Sequence, residues 1–562
     1  MAARKAEACC VVSLVLMAAI LFASLSRKSL TNDEIVHIPA GYYHLVAGQF
    51  QINNEHPPLV KMWAALPLLF IQPAEVAPSA DDTWMYLNRF WPDNKDHVAA
   101  LTFWPRAMMI LIALGLGALI FVYARELFGA RAAVLAVALY TLEPTVLAHG
   151  RLVHTDLPAA LAFLLFFLAL RHYSTARTLP RALLLGLASG VALAVKFSMI
   201  VLLPVLAGLA LMVFVLEPPL GDSRPRTALH LATVVCAIVF VVNATYYFRS
   251  PPLEPADVRW VHTMTGPASA SWMTFFDLGS KVVPTYFLFG QYNVMLHHRA
   301  GHPASLLGQY TSTGWWYYFP VAFALKTSLP SLVLSAAGLA WALWALWRGE
   351  WTALWLIAPL SVYTALSMAS HINIGVRHFL PAYPFLFIAA GVLLDRVLRV
   401  TRARPLVVSL VVAIFGWIGV EAGRAYPDYI PYMNQLAYAH PHWWYLSDSN
   451  VEWGDDALAL AEYLRARGEN HVRGAVSGGG ETLALHGIHY HEIFPKPGRA
   501  LPDTRYVAIG ASFLNGSTIA VPPDEHGHFL SDERRVNYLA DYRTRAPEAT
   551  FGHSIYLYRM KD

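Results

Sequence analysis

Long apolar runs dominate this chain and leave it few ways to fold. A helix needs about 20 mostly apolar residues to cross a bilayer core, and in lipid its backbone polar groups must be satisfied within the helix. Runs of this kind lie at 10–26, 106–124, 132–149, 157–172, 181–197, 199–216, 228–247, 319–347, 352–369, 379–396 and 405–423. They predict an α-helical polytopic membrane protein with about 11 transmembrane helices. The stretch 280–296 is apolar but interrupted, and reads either as an extra span or as a surface helix. The first run has no clear small-x-small cleavage site and is expected to stay as an anchor. Composition agrees, with 56% hydrophobic and 14% charged residues, against about 25% charged in soluble domains. A net charge of +4 over 562 residues does not point to nucleic acid. Cys9, Cys10 and Cys236 lie in or beside apolar runs and build neither a disulfide framework nor a zinc pattern.

Lysine and arginine in the short loops predict orientation. With Arg4 and Lys5 in the cytoplasm, Arg125 and Arg131, then Arg171, Arg177 and Arg181, then Arg224 and Arg226, then Arg348, then Arg396, Arg399, Arg402 and Arg404 all fall inside. That alternation calls for an odd number of spans and leaves the C-terminal segment outside. Residues 1–423 then form a transmembrane domain with external loops at 27–105 and 248–318, and 424–562 an extracytoplasmic soluble domain. The tail is polar and turn-rich, with strand-like runs at Arg505–Ile509 and Ser554–Tyr558, which predicts a small α/β domain.

Charges beside a membrane are costly and therefore informative. In this topology they gather at the outer ends of spans: Asp33 and Glu34, then Glu55, His56 and Lys61, then Glu143, Arg151, His154 and Asp156, then Lys196, Lys326, Arg377 and His378. Acids and bases on one face suggest a reaction there that involves an anion and a proton transfer. Thr31 and Glu34 fit a capping box at a helix start, which explains Glu34 and leaves Asp33 over as the better catalytic candidate. In Asn54-Glu55-His56-Pro57-Pro58, the prolines either open a helix or present Glu55 and His56 on a rigid turn. Lys196 reads equally as a lysine snorkelling to the interface. The aromatic run Trp315–Phe319 suits an interfacial belt. Ser477-Gly478-Gly479-Gly480 is turn-prone, too short a signal for phosphate binding.

The Asp33-Glu34 pair just after the first span, followed in the same loop by His56-Pro57-Pro58-Leu59-Val60-Lys61, resembles the protein O-mannosyltransferase family. It is also similar to bacterial phospholipid-carrier-dependent glycosyltransferases, including the aminoarabinose transferases, all of the GT-C superfamily. Further motifs agree: Leu142-Glu143-Pro144 with Ala148-His149-Gly150 and Thr155-Asp156; Gly314-Trp315-Trp316-Tyr317-Tyr318-Phe319-Pro320 with Lys326-Thr327; Gly375-Val376-Arg377-His378; and Leu446 to Asp456.

The resemblance implies a GT-C-like fold and sugar transfer on the outer face from a polyprenyl-phosphate donor. An acceptor hydroxyl, on a glycan, lipid or protein, would attack the anomeric carbon in one inverting displacement. It implies Asp33 as general base, with Glu34 and Asp156 as further catalytic candidates. Lys196 and Arg377 would bind the donor phosphate, followed by Lys61 and Arg151, with Glu55, His56 and His378 as further substrate contacts. Asp33, Glu55, His56, His154 and Asp156 would supply ligands to a divalent metal ion if they converged; the sequence leaves the metal unknown and no cofactor certain. The tail is unlike the β-trefoil insertion of eukaryotic relatives, which puts a protein acceptor in doubt. A transporter or flippase of lipid-linked sugars is the alternative; it calls for polar groups near the midplane in matched halves, where this chain clusters them on one face. A catalytically dead scaffold is the third reading, against which Asp33, Glu55 and Asp156 stand together in one chain.

Overall fold

The computed structural model describes residues 2–74, 83–216, 223–400, 403–494, 502–519 and 530–560. Arg402, counted above among the inner charges, lies outside them, as do parts of the first external loop and of the tail. The chain is mostly helical. Each of the eleven apolar runs is helical over most of its length. Among the described residues eight helices, from Arg4–Leu25 to Pro405–Ala425, are long and apolar enough to cross a membrane, and Ala130–Leu142, Leu179–Val195 and Phe197–Leu211 are shorter apolar helices. The interrupted stretch at 280–296 becomes the helix Thr285–Ala300, which ends in His297, His298 and Arg299 and is not among these spans.

Small residues let the bundle close. Gly186 and Gly190, one turn apart on the helix Leu179–Val195, face the helix Ser223–Thr245; an added Cβ would stand 2.7 Å from the Ala237 and Val241 Cβ atoms respectively. Close backbone approach of this kind is what holds helices together where lipid removes the hydrophobic drive.

Two of the apolar runs are broken, and one carboxylate serves both breaks. The run at 132–149 ends its helix at Leu142, because Pro144 pushes Glu143 into extended backbone, and resumes as the short helix Pro144–His149. The run at 319–347 divides into Tyr318–Lys326 and Leu329–Trp347. Glu143, fully buried, accepts the Ser328 N–H at 2.9 Å and the Ser328 hydroxyl at 2.8 Å, satisfying donors at the start of the second piece.

In the aromatic run Trp315–Phe319, Trp316 is exposed and Trp315 and Tyr317 are half-buried. Tyr318 and Phe319 are buried, Tyr318 accepting a hydrogen bond from Asn450 Nδ2 at 2.7 Å. They turn inward because the tail packs over them.

Among the described residues, seven strands complete the fold. β1 (Ala304–Leu306) and β2 (Gln309–Thr311) form a hairpin between the helices Thr285–Ala300 and Tyr318–Lys326. β3 (His471–Ala475), β4 (His489–Glu492), β5 (Tyr506–Gly510), β6 (Ala549–Phe551) and β7 (Ile555–Arg559) make one sheet in the order β4-β3-β5-β7-β6. β3 runs parallel to β4 and to β5; β7 runs antiparallel to β5 and β6. The runs expected at Arg505–Ile509 and Ser554–Tyr558 are β5 and β7, paired from Tyr506↔Arg559 to Gly510↔Ile555. The sheet has its own small core, in which Leu460, Leu464, Val472, Leu483, Ile488 and Leu557 are buried together.

Candidate active site

The helix Asn32–Ala47 opens with the capping box anticipated at Thr31. The Glu34 N–H reaches Thr31 Oγ1 at 3.4 Å and the Thr31 N–H reaches Glu34 Oε2 at 2.9 Å. Glu34 does more than cap. Arg106 donates from Nε to Oε1 at 2.8 Å and from Nη2 to Oε2 at 2.6 Å, and the Val153 N–H reaches Oε1 at 3.1 Å. With both side chains fully buried and both oxygens occupied, Glu34 has no oxygen left for a substrate, and the catalytic role expected of it gives way to a structural one.

Asp33 faces the other way. Its Oδ2 accepts from Arg377 Nη1 at 2.6 Å and its Oδ1 from Trp453 Nε1 at 3.3 Å. Arg377 comes from a turn of 3-10 helix, Val376–Ala382, and its Nη1 also lies 3.5 Å from Asp156 Oδ2. Asp156 opens the helix Asp156–Thr175 and is buried. Lys196, the first extended residue after the helix Leu179–Val195, pairs with Asp156 Oδ1. His154 Nδ1 stands 3.0 Å from Asp156 Oδ2 and His378 Nε2 4.0 Å from Oδ1. Four chain segments thus bring two carboxylates and two cations into one alternating cluster.

Aromatic rings enclose it. The Arg377 guanidinium lies over the Trp453 ring, 4.1 Å from its centre. His149 and His154 pack against the same indole at 5.9 and 5.7 Å. His37, its Nδ1 3.0 Å from the Val153 carbonyl oxygen, meets the His56 ring edge-on at 5.1 Å. Burial alone would raise the Asp33 carboxyl; the Arg377 guanidinium overrides it and holds the group well below the usual carboxylate range. Burial pushes His37 down to about 4 and His56 well below an ordinary imidazole, so both are neutral at pH 7.

Other nominated residues stand apart. Lys61 is buried, donating to the Asn53 carbonyl at 2.7 Å, Asn53 Oδ1 at 3.2 Å and the His56 carbonyl at 2.9 Å; it shapes the turn that carries His56. Glu55, on that turn, is exposed. Arg151 is fully buried behind the site, where Nη1 donates to the Ser24 carbonyl at 3.0 Å. Both are buried away from the Asp33–Asp156 cluster: Lys61 is satisfied by Asn53 and the His56 carbonyl, while Arg151 keeps Nε and Nη2 without a hydrogen-bond partner. The reading of Glu55 as a site residue finds it on the surface instead.

The residues that would hold a metal ion if they converged do not gather into one set of ligands. Among the described residues no group of three His, Cys, Asp or Glu side chains is placed to hold an ion. Asp33 and Asp156 already face Arg377 and Lys196, whose charges repel a cation. The donor set does not fit a metal.

Trp453 and His37 were not named as site residues from sequence. Trp453 lies within the Leu446–Asp456 motif and His37 one turn after Asp33, but neither charge nor spacing distinguishes them from packing residues.

Residues 100–246 match the model of the family described as dolichyl-phosphate-mannose-protein mannosyltransferase. The matched segment holds Asp156 and Lys196. That segment of the chain is therefore similar to a family of membrane glycosyltransferases. Among solved structures, the chain is similar to ArnT from Cupriavidus metallidurans bound to undecaprenyl phosphate, at 15% identity over 97% of each chain with a TM-score of 0.49. It is similar also to the Archaeoglobus fulgidus oligosaccharyltransferase in the apo form, at 11% identity over 87% of this chain and 65% of that one, TM-score 0.49. No curated protein matches it.

Proposed function

We propose that this chain moves a sugar from a polyprenyl-phosphate donor to an acceptor hydroxyl, on the extracytoplasmic face, in one inverting displacement. The observation that carries the reading is Arg377, shared between Asp33 and Asp156, with Lys196 on the second oxygen of Asp156. The family description of the matched segment, with its lipid-phosphate sugar donor, supports the donor class.

The acceptor hydroxyl attacks the anomeric carbon as the bond from that carbon to the phosphate oxygen breaks. The electron pair leaves with the phosphate, and the hydroxyl proton passes to Asp33. Exposure separates the two acids: the Asp33 side chain is 20% exposed and that of Asp156 only 2%. Asp33 is therefore the base within reach of an acceptor. A carboxylate held ionised by Arg377 is a weak base, which suits a proton that leaves late, after carbon–oxygen bond breaking has advanced. Lys196 and Arg377 supply the positive charge that a departing phosphate requires. Asp156 keeps the two cations apart and aimed. The outward placement of the site, and of residues 424–562, rests on the arginine and lysine distribution in the loops.

The deciding experiment is transfer from radiolabelled polyprenyl-phosphate sugars in membranes that hold matched amounts of wild type and Asp33→Asn. Transfer by wild type that is lost in the variant is expected. Failure of wild type on every donor would overturn the reading.

A further inference from the structure

The tail's sheet has the layout of a ligand-binding sheet, and a side chain of the chain itself sits in its crevice. From β3 the chain goes to β4 on one side and then returns to β5 on the other, so the strand order reverses between β3 and β5. In open α/β sheets, ligands sit in the crevice outside the carboxyl ends of the two strands at such a reversal. Here the occupant is the buried side chain of Glu452. Its Oε1 accepts the Ser477 N–H, just past β3, at 2.8 Å, and its Oε2 accepts the Ser512 N–H, just past β5, at 2.9 Å. Gly510, the last residue of β5, makes room: a Cβ there would lie 1.9 Å from Glu452 Oε1.

The next residue is Trp453. Its carbonyl accepts the Asn32 N–H at 2.8 Å, one residue before Asp33, while its indole donates to Asp33 and carries the Arg377 guanidinium on its face. A second tie runs alongside, where the Ser29 N–H reaches the Asp455 carbonyl at 2.8 Å and buried Lys28 pairs with Asp428 at 2.5 Å and with Asp456.

We propose that Glu452 and Trp453 act as one positioning element: Glu452 locks the segment into the tail's crevice, and Trp453 sets the geometry of the Asp33–Arg377 pair. The tail is then part of the catalytic site and no appended module. The inference rests on the reading of Asp33 as the base.

The test uses the full chain in detergent and two readouts. In hydrogen exchange, Glu452→Ala is expected to speed exchange at Ser477, Ser512 and Asn32 by about tenfold or more, since each amide loses its acceptor or its anchor. Trp453→Leu should speed exchange at the start of the Asn32–Ala47 helix, and Trp453→Phe, which keeps a ring over Arg377, should not. In transfer from polyprenyl-phosphate mannose, Trp453→Phe is expected to lower kcat by about tenfold with KM unchanged and to move the acid limb of the rate upward, because Asp33 loses a donor to its charged form. Wild-type exchange in Glu452→Ala would overturn the anchor. A wild-type pH profile in Trp453→Phe, or wild-type exchange in Trp453→Leu, would overturn the positioning role. Absence of transfer by wild type from every polyprenyl-phosphate sugar tried would sink the donor reading, while the exchange readout still decides both halves of the inference.

Discussion

Arg377 Nη1 lies 2.6 Å from Asp33 Oδ2, and the two residues are 344 positions apart in the chain. The pair joins the first external loop to a turn ahead of a late span, and the same nitrogen reaches on to Asp156 at 3.5 Å. One guanidinium therefore fixes the distance between the acid that faces an acceptor and the acid that holds Lys196. The consequences can be tested residue by residue.

Asp33→Asn should keep the fold and lose the chemistry. The amide fills the same volume and its oxygen can still accept from Arg377, so the thermal midpoint should move little. Loss of a positioned base is worth about 10²–10⁴ in rate. Initial rates of sugar transfer at saturating donor, with melting curves on the same preparations, check this; a variant within threefold of wild type would move the base elsewhere.

Arg377→Gln should make transfer sensitive to acid. In the wild type Asp33 is depressed, so the pair contributes stability above the ordinary carboxylate value of about 3.9 and loses it only as pH falls through the lower folded value. Removing the guanidinium leaves burial, which acts upward, as the larger influence on Asp33. Wild-type rates should thus stay flat from pH 7 to 5, while those of the variant fall with a limb above the ordinary carboxylate range. A variant with a slower but flat profile would show that Arg377 does not control Asp33.

Lys196 offers a comparison of charge with shape. Lys196→Met keeps the stem and removes the ammonium, and should cost about 10²–10³ in kcat if the ammonium stabilises the leaving phosphate. Lys196→Arg should recover part of that loss. Equal loss in both variants would indicate that Lys196 serves only to hold Asp156.

The spans were legible because their signal is local: apolar runs of sufficient length are readable one segment at a time. The breaks were less so. Pro144 announces one of them, but that Glu143 caps the start of the helix at Ser328 depends on packing between helices 185 residues apart. Asp33, Asp156, Lys196, Arg377 and His378 were readable as costly charges at the outer ends of spans, and they do converge. The same criterion also selected Lys61 and Arg151, because a buried lysine that shapes a turn and a lysine that meets a phosphate look alike in sequence. Trp453 escaped because an indole carries no charge to mark it. In the tail, β5 and β7 were found from their apolar runs, whereas β4, His489–Glu492, has no apolar alternation to reveal it.

Glu34 and Arg106 give the sharpest separation of scaffold from chemistry. Both side chains are fully buried and share two hydrogen bonds, and Arg106 also donates to the carbonyls of Leu25, Lys28 and Ser29. The pair ties the end of the first span to the loop that presents Asp33. Removing one member of a buried pair costs about 3–5 kcal/mol, because the other charge is left uncompensated. Arg106→Met and Glu34→Gln should therefore each lower the thermal midpoint in detergent sharply, with Arg106→Met the worse because it strands a carboxylate. The double variant should be less destabilised than the sum of the two, which is the signature of a direct interaction. At temperatures where Glu34→Gln remains folded, its transfer rate should stay within about tenfold of wild type, well above the loss expected for Asp33→Asn. Additive destabilisation would show that the two side chains act separately, and a rate as low as that of Asp33→Asn in folded protein would return Glu34 to the chemistry.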